Sequence, residues 1–127
     1  MSLIGFEVGT VQLTPSTYVV TVKGEIDVFT SPALDKELEW VLGDGAANAV
    51  VDLGEVNFID STALKVLLKA LPSFSRRGGE LVLVTADRRI LRTLEITGLD
   101  TKFAVEPKLS EAVASFANGS APRSEGE

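Results

Sequence analysis

The spacing of apolar residues along the chain predicts a series of strands and helices. Two runs rich in β-branched and aromatic residues come first, and the Pro15-Ser16 pair between them predicts a hairpin turn. Ser31-Pro32 then starts a helical pattern, with Ser31 as the expected N-cap and Pro32 in the first turn. The predicted strands cover residues 6–13, 18–22, 49–53, 81–84 and 103–105, and the predicted helices begin near residues 31, 61, 88 and 109.

Strand and helix patterns alternate from Val50 onward, which predicts crossover connections between parallel strands. Because the opening hairpin is antiparallel, we expect one α/β domain with a mixed, largely parallel sheet of about five strands packed with about four helices. Binding sites in such sheets favour the loops at the carboxyl ends of the strands. Asp27 follows the second predicted strand and Asp60-Ser61 follows the third, so both are expected at one end of the molecule.

Three stretches predict interruptions of the regular pattern. A polar turn is expected after Leu53, with Phe58-Ile59 anchoring its far end. Pro72 falls inside a helical pattern and is expected to kink the second helix or to end it early. Residues 118–127 are rich in Gly, Ser, Pro and charge, so we expect a domain over residues 1–117 and a disordered tail over residues 118–127.

Asp60-Ser61-Thr62 stands directly before leucines at helical spacing, Leu64, Leu67, Leu68 and Leu71. Asp, Ser and Thr are preferred helix N-caps, and a cap alone explains many such positions. If Asp60 is the N-cap, Ser61 lies in the first helical turn with its hydroxyl outward. Backbone N–H groups lack partners there and the helix dipole favours negative charge, so the position can also hold a phosphate.

Composition excludes several classes of activity. The chain has no histidine and no cysteine, so it lacks the commonest general base and the thiolate nucleophile. Its acidic residues are scattered, which predicts no metal site, and no phosphate-cradling Gly-rich loop or nucleophile–base pair is evident. The net charge of −6 predicts no binding to nucleic acid or to anionic membranes. Without a long apolar run or a leader pattern, a cytoplasmic location is expected.

Several motifs together resemble those of one family. Phe58 to Leu64 resembles the Asp-Ser-(Ser/Thr)-Gly-Leu motif of STAS domains, the family of bacterial anti-sigma factor antagonists. The resemblance runs from about Phe6 to Phe116, and one position departs from it, because Ala63 stands where the family usually has Gly. The other matching segments, in order, are Gly24-Glu25-Ile26-Asp27, Val51-Asp52-Leu53, Gly78-Gly79-Glu80-Leu81, Leu94 and Thr97-Gly98-Leu99.

The resemblance implies a single STAS-type domain that is no enzyme and needs no cofactor. It implies that an anti-sigma factor of the serine-kinase type binds the protein and phosphorylates Ser61, with Thr62 as the second choice, and that a protein phosphatase reverses the step. The implied partner contacts are Asp27, Asp60, Ser61, Thr62 and Lys65.

Two alternative functions stay open at this point. The first is a STAS scaffold module of a stressosome-like or transporter-associated complex, which would keep the fold without the link to a sigma factor. The second is a small nucleotide-binding protein, which the missing Gly-rich phosphate loop disfavours.

Overall fold

The computed structural model describes residues 2–3 and 5–119 of the 127-residue chain. Helices α1 to α4 and strands β1 to β6 follow one another in that part of the chain, and a 3-10 turn, Leu99–Thr101, precedes β6. The strands are β1 (Ser2–Leu3), β2 (Phe6–Thr14), β3 (Thr17–Ile26), β4 (Asn48–Ile59), β5 (Leu81–Val84) and β6 (Ala104–Glu106). The helices are α1 (Ser31–Gly43), α2 (Ser61–Arg76), α3 (Arg88–Ile96) and α4 (Leu109–Gly119).

The strands form one mixed sheet in the order β1-β2-β3-β4-β5-β6. The first three strands pair antiparallel, and β3 to β6 pair parallel. The predicted α/β fold, a largely parallel sheet of five strands with four helices, is confirmed. The short strand β1 is an addition at the sheet edge, where Leu3 pairs with Phe6, and two residues are too few to leave a periodic signal.

Helices cover both faces of the sheet. The larger core cluster lies between one face and helices α1, α2 and α3, and a smaller one lies between the other face and α4. Because the central parallel strands are buried on both faces, they read as nearly continuous apolar runs. All four residues of β5 are buried, as this arrangement requires.

The prediction of a polar turn after Leu53 is wrong, since β4 continues without a break to Ile59. The inward-facing apolar residues of its second half are Leu53, Val56 and Ile59, which are three residues apart rather than two. The pairing of β3 with β4 shifts register twice, between Thr21 and Lys23 and again between Gly24 and Glu25. A bulge inserts one extra residue into a strand, so two bulges hide the strand period from a reading of the sequence.

The start of α1 lies where Ser31-Pro32 predicts it, but its N-cap is Thr30 and not Ser31. The carbonyl of Asp27 accepts hydrogen bonds from the backbone N–H groups of Thr30 and Ser31, at 3.2 and 2.8 Å. This turn winds the chain into the helix one residue earlier than the sequence suggests. The Thr30 hydroxyl is used inside the loop and makes no cap hydrogen bond to α1.

Pro72 does not end α2 early, because the helix runs on to Arg76. Proline removes one backbone hydrogen bond from a helix interior, so the last turn needs other support. Phe74 supplies it by packing in the core with no exposed surface. Arg77 adds hydrogen bonds from its guanidinium to the carbonyls of Leu42 and Ala46, at 2.8 and 2.7 Å.

The Gly78-Gly79 pair stops α2, as predicted, and each glycine has its own reason. Gly78 has a φ of +76°, which favours a residue without a side chain. At Gly79 a Cβ would lie 1.8 Å from the carbonyl oxygen of Ala47, so the chain passes too close to another backbone segment for a side chain.

Helix α4 extends to Gly119, three residues beyond the predicted end at Phe116. The predicted boundary between a domain over residues 1–117 and a tail over residues 118–127 therefore falls inside this helix. Residues 120–127 of that predicted tail lie outside the described residues.

Candidate functional site

The loops after β3 and β4 lie side by side at the carboxyl end of the sheet. Ile26 and Ile59 pair in register at the ends of the two strands, and the backbone N–H of Asp60 donates to the carbonyl of Ile26 at 3.2 Å. Both strands lead directly into helices on the same face of the sheet. Asp27 and the Asp60-Ser61 pair, which the sequence places at one end of the molecule, are therefore neighbours.

Asp60 is the N-cap of α2. Its backbone is extended, with φ −118° and ψ −172°, and its Oδ1 accepts from the backbone N–H groups of Thr62 and Ala63 at 2.9 and 3.2 Å. Partial burial works to raise the pKa of the Asp60 carboxyl. Hydrogen bonds from the Thr62 hydroxyl and these two N–H groups outweigh burial and hold that pKa below its ordinary value. The carboxylate thus stays ionised at the positive end of the helix dipole.

Ser61 and Thr62 differ in what their hydroxyls do. Thr62 is half-buried, and its Oγ1 donates to Asp60 Oδ1 at 2.5 Å. Ser61 is exposed in the first turn of α2, and its hydroxyl makes no hydrogen bond within the described part of the chain. A group that must reach another protein's active site needs a free, exposed oxygen. The geometry therefore favours Ser61 over Thr62 as an acceptor of phosphate.

Asp27 organises the loop between β3 and α1. Its Oδ1 accepts from the backbone N–H groups of Phe29 and Thr30, at 2.9 and 3.1 Å. Thr30 is buried and donates its hydroxyl to the carbonyl of Glu25 at 2.8 Å. The carboxylate is half-exposed, so it shapes the loop and still offers negative charge to a neighbour.

Lys65 and Lys69 lie on α2 but have different surroundings. Lys65 is exposed one turn after Ser61 and makes no ion pair with any described residue. Lys69 pairs with Asp35 and Glu39 of α1, with nitrogen–oxygen distances of 3.0 and 3.4 Å. Lys69 thus joins the two helices, and the Lys65 ammonium group stays exposed without an ion pair among the described residues.

Ala63, where the family usually has Gly, is completely buried in the main core. Its methyl group faces inward and packs between α2 and the sheet. The substitution therefore leaves the outer surface beside Ser61 unchanged, and Ala favours the helix more than Gly does.

Exposed apolar residues that the sequence pattern did not predict lie at this end of the sheet. Phe29 is 83% exposed in the loop after β3, and Val28 is 57% exposed beside it. Phe58, one residue before the end of β4, is 47% exposed. A usable signal was present, because two apolar residues inside a short loop between Asp27 and the Ser31-Pro32 helix start have no periodic partner in the sequence.

The described residues hold no group of three or more carboxylates that could bind a metal ion. A polar cleft of about 340 Å³ lies beside the loop after β3, between Gly24, Asp27 and Asn57. Asp60 is the carboxylate next to Ser61, and it accepts three hydrogen bonds through one oxygen. The arrangement suits the reception of a phosphate or a protein better than the activation of a nucleophile.

The cap geometry of Asp60 predicts a stability effect that depends on pH. Because folding lowers the pKa of Asp60, its charge stabilises the fold above the unfolded-state value of 3.8, and that stabilisation is lost as pH falls through the folded-state pKa. Asn caps helices about as well as Asp, so Asp60→Asn removes only the charge. We expect Asp60→Asn to lower the free energy of unfolding by about 0.3–1 kcal/mol at pH 6, and by less at pH 3.

Urea denaturation at the two pH values checks this expectation. Asp100→Asn is the control, because Asp100 is exposed and accepts no side-chain hydrogen bond from any described residue. An Asp60→Asn effect of equal size at both pH values would show that the charge of the cap does not act on stability.

Comparison with known proteins identifies the family. The STAS domain family model matches residues 10–112, a span that includes both loops of the site. An anti-sigma-B factor antagonist of Staphylococcus aureus (strain NCTC 8325 / PS 47) is 38% identical over 82 residues, which cover 65% of this chain and 76% of the relative. The protein with the same description in Listeria monocytogenes serovar 1/2a is 40% identical over 80 residues, covering 63% of this chain and 70% of the relative.

A solved structure agrees with this match. The crystal structure of an anti-sigma factor antagonist from Mycobacterium paratuberculosis has a TM-score of 0.72 at 29% identity, and the match covers 89% of this chain and 95% of that one. No helix among the described residues is long and apolar enough to cross a membrane. Since the family model covers most of the chain and both loops of the site, the chain belongs to the STAS domain family.

Proposed function

We propose that this protein is an anti-sigma factor antagonist that acts by partner switching. In its unmodified form it binds an anti-sigma factor of the serine-kinase type, and the sigma factor held by that partner is released. The similarity to two bacterial anti-sigma-B factor antagonists supports this proposal. The observation that carries it is the free, exposed hydroxyl of Ser61 in the first turn of α2, next to the loop that Asp27 organises.

The switch is a phosphoryl transfer to Ser61. The Ser61 Oγ attacks the γ-phosphorus of ATP bound to the partner, the bond to the β-phosphate oxygen breaks, and ADP and the hydroxyl proton leave. A protein phosphatase reverses the change by hydrolysis, which returns the serine and inorganic phosphate. The helix N-terminus can accept the added charge without unfolding, because the helix dipole favours an anion there.

Partner contacts in this proposal surround the acceptor. Asp60 provides negative charge directly before Ser61, and Asp27 provides it from the neighbouring loop. Lys65 provides an unpaired positive charge one turn further along α2. Thr62 contributes through its hydrogen bond to Asp60, which holds the cap in place. The phosphate would add about −1.5 to −2 charges to this surface.

We further propose that the protein works in the cytoplasm and catalyses no reaction itself. Phosphoryl transfer needs a loop that cradles the nucleotide phosphates, and the sequence contains no Gly-rich phosphate-binding motif. The catalytic groups thus belong to the partner, and the antagonist supplies the acceptor hydroxyl and the docking surface.

A binding titration tests the function. The unmodified protein is titrated by calorimetry against each purified serine-kinase-type anti-sigma factor of the source organism. We expect saturable one-to-one binding to at least one of them, and release of its sigma factor when the antagonist is added to the preformed complex. If none of these anti-sigma factors binds, the protein is not an antagonist of this class, and a scaffold role becomes the better explanation.

A further inference from the structure

Three exposed apolar residues lie at the same end of the sheet as Ser61, and we call them the apolar rim: Val28, Phe29 and Phe58. Single exposed apolar side chains are ordinary, but several together mark an interaction surface. Phe29 stands out because 83% of its surface is exposed. The apolar surface of this ring is removed from water only when another molecule covers it.

The loop holds Phe29 in a defined position. Its backbone N–H donates to Asp27 Oδ1 at 2.9 Å, and the next residue, Thr30, is tied to the same oxygen and to the carbonyl of Asp27. The buried Thr30 hydroxyl closes the loop against Glu25. The backbone on both sides of Phe29 is thus fixed before binding, and a Phe side chain has few torsions to order. Such preorganisation lowers the entropic cost of association.

The charges around the apolar rim identify the kind of partner. Glu25, Asp27 and Asp60 lie at this end of β3 and β4. With Lys65 as the nearby cation on α2, these groups carry a net negative charge. Two copies of this chain meeting through their rims would bring these carboxylates together, and like charges facing each other across an interface cost several kcal/mol. A partner that covers the rim therefore presents an apolar pocket bordered by basic side chains. It also reaches Ser61 Oγ, since the loop after β3 and the start of α2 are neighbours.

We propose that Phe29 is the hydrophobic anchor through which the serine-kinase-type anti-sigma factor recognises this protein, its ring filling an apolar pocket on the partner. This inference rests on the proposed function and adds the residue that sets affinity. Aromatic residues that fill a pocket at the centre of an interface are typical binding hot spots. Phe29 would thus set how tightly the partner binds, and the charge on Ser61 would set whether it binds.

A pair of alanine variants tests the anchor. Phe29→Ala should bind the anti-sigma factor at least about 30-fold more weakly than the parent, the loss expected at a hot spot, and should melt at the same temperature because the ring packs on little. Ile96→Ala is the matched control, since Ile96 is 70% exposed at the far end of α3. We expect the control to bind like the parent.

Photo-cross-linking tests whether residue 29 contacts the anti-sigma factor, independently of any change in affinity. A photo-cross-linking phenylalanine analogue at residue 29 should form an adduct with the anti-sigma factor, and the same analogue at residue 96 should form none. Parent-like affinity of Phe29→Ala, or no adduct at residue 29 while the parent binds, overturns the anchor and leaves the proposed function standing. Failure of the parent to bind overturns both. If the parent self-associates and Phe29→Ala abolishes this self-association, the apolar rim binds a second copy of the chain. That result also overturns the anchor.

Discussion

Ser61→Asp should fold like the parent and bind its anti-sigma factor about 30- to 1000-fold more weakly. The change places a negative charge at the exposed N-terminal turn of α2, where the dipole favours it, so the fold has no reason to change. Across the interface the same charge would face the triphosphate of the partner's ATP, whose γ-phosphorus the Ser61 Oγ approaches in the proposed switch. Like charges that face each other there cost about 2–4 kcal/mol of binding free energy. That cost corresponds to a loss in affinity of about 30- to 1000-fold.

Circular dichroism tests whether Ser61→Asp folds like the parent, and calorimetric titration measures its affinity for the anti-sigma factor. Ser75→Asp is the matched control, because it adds the same charge to an exposed serine near the other end of α2, about 20 Å away at 1.5 Å per residue. The control should bind normally. Ser61→Ala should also keep most of the binding, since it removes the hydroxyl without adding charge. Tight binding by Ser61→Asp would mean that charge at this position is not the switch.

Gly24→Ala should lower the free energy of unfolding by at least about 2 kcal/mol, the middle of the range for a strained backbone position. Gly24 has a φ of +101°, and a Cβ built on it would lie 1.9 Å from the carbonyl oxygen of Gly5. Both the local conformation and the neighbouring backbone therefore oppose a side chain. The residue sits at the second register shift between β3 and β4, directly before the loop that carries Asp27 and Phe29.

Gly9→Ala, on the adjacent strand β2, is the control for this prediction. A Cβ at Gly9 meets no atom within 4 Å and the residue has no positive φ, so we expect stability within about 0.5 kcal/mol of the parent, the usual range for surface changes. Thermal and urea unfolding of the two variants give the comparison. Equal stability of Gly24→Ala and Gly9→Ala would show that β3 at Gly24 and the backbone of Gly5 can move apart at little cost.

The fold was largely predictable because its signals are local. Leucines at helical spacing, β-branched runs and glycine stops mark most elements, and the alternation after Val50 implies parallel strands. The second half of β4 was not predictable, since two bulges change the spacing of Leu53, Val56 and Ile59 from two residues to three. Those bulges exist only because β4 must pair with β3, which is a tertiary effect.

The candidate site was predictable in its location and less so in its details. A helix start after a buried strand placed Asp60 and Ser61 correctly, and the cap role of Asp60 agrees with its residue type. The difference between Ser61 and Thr62 depends on which hydroxyl reaches the cap carboxylate, and residue type does not reveal that. The exposure of Phe29 depends on how Asp27 and Thr30 fold the loop, so it emerged only from the structure.

Mapping the phosphate is the most direct test of the proposed switch. The parent protein is incubated with ATP and the anti-sigma factor that binds it, and the modified residue is located by mass spectrometry of its peptides. We predict a single phosphate on Ser61 in the parent and in Thr62→Val, and none in Ser61→Ala. Phosphate on Thr62, or no transfer to a protein that binds the kinase, would contradict the account.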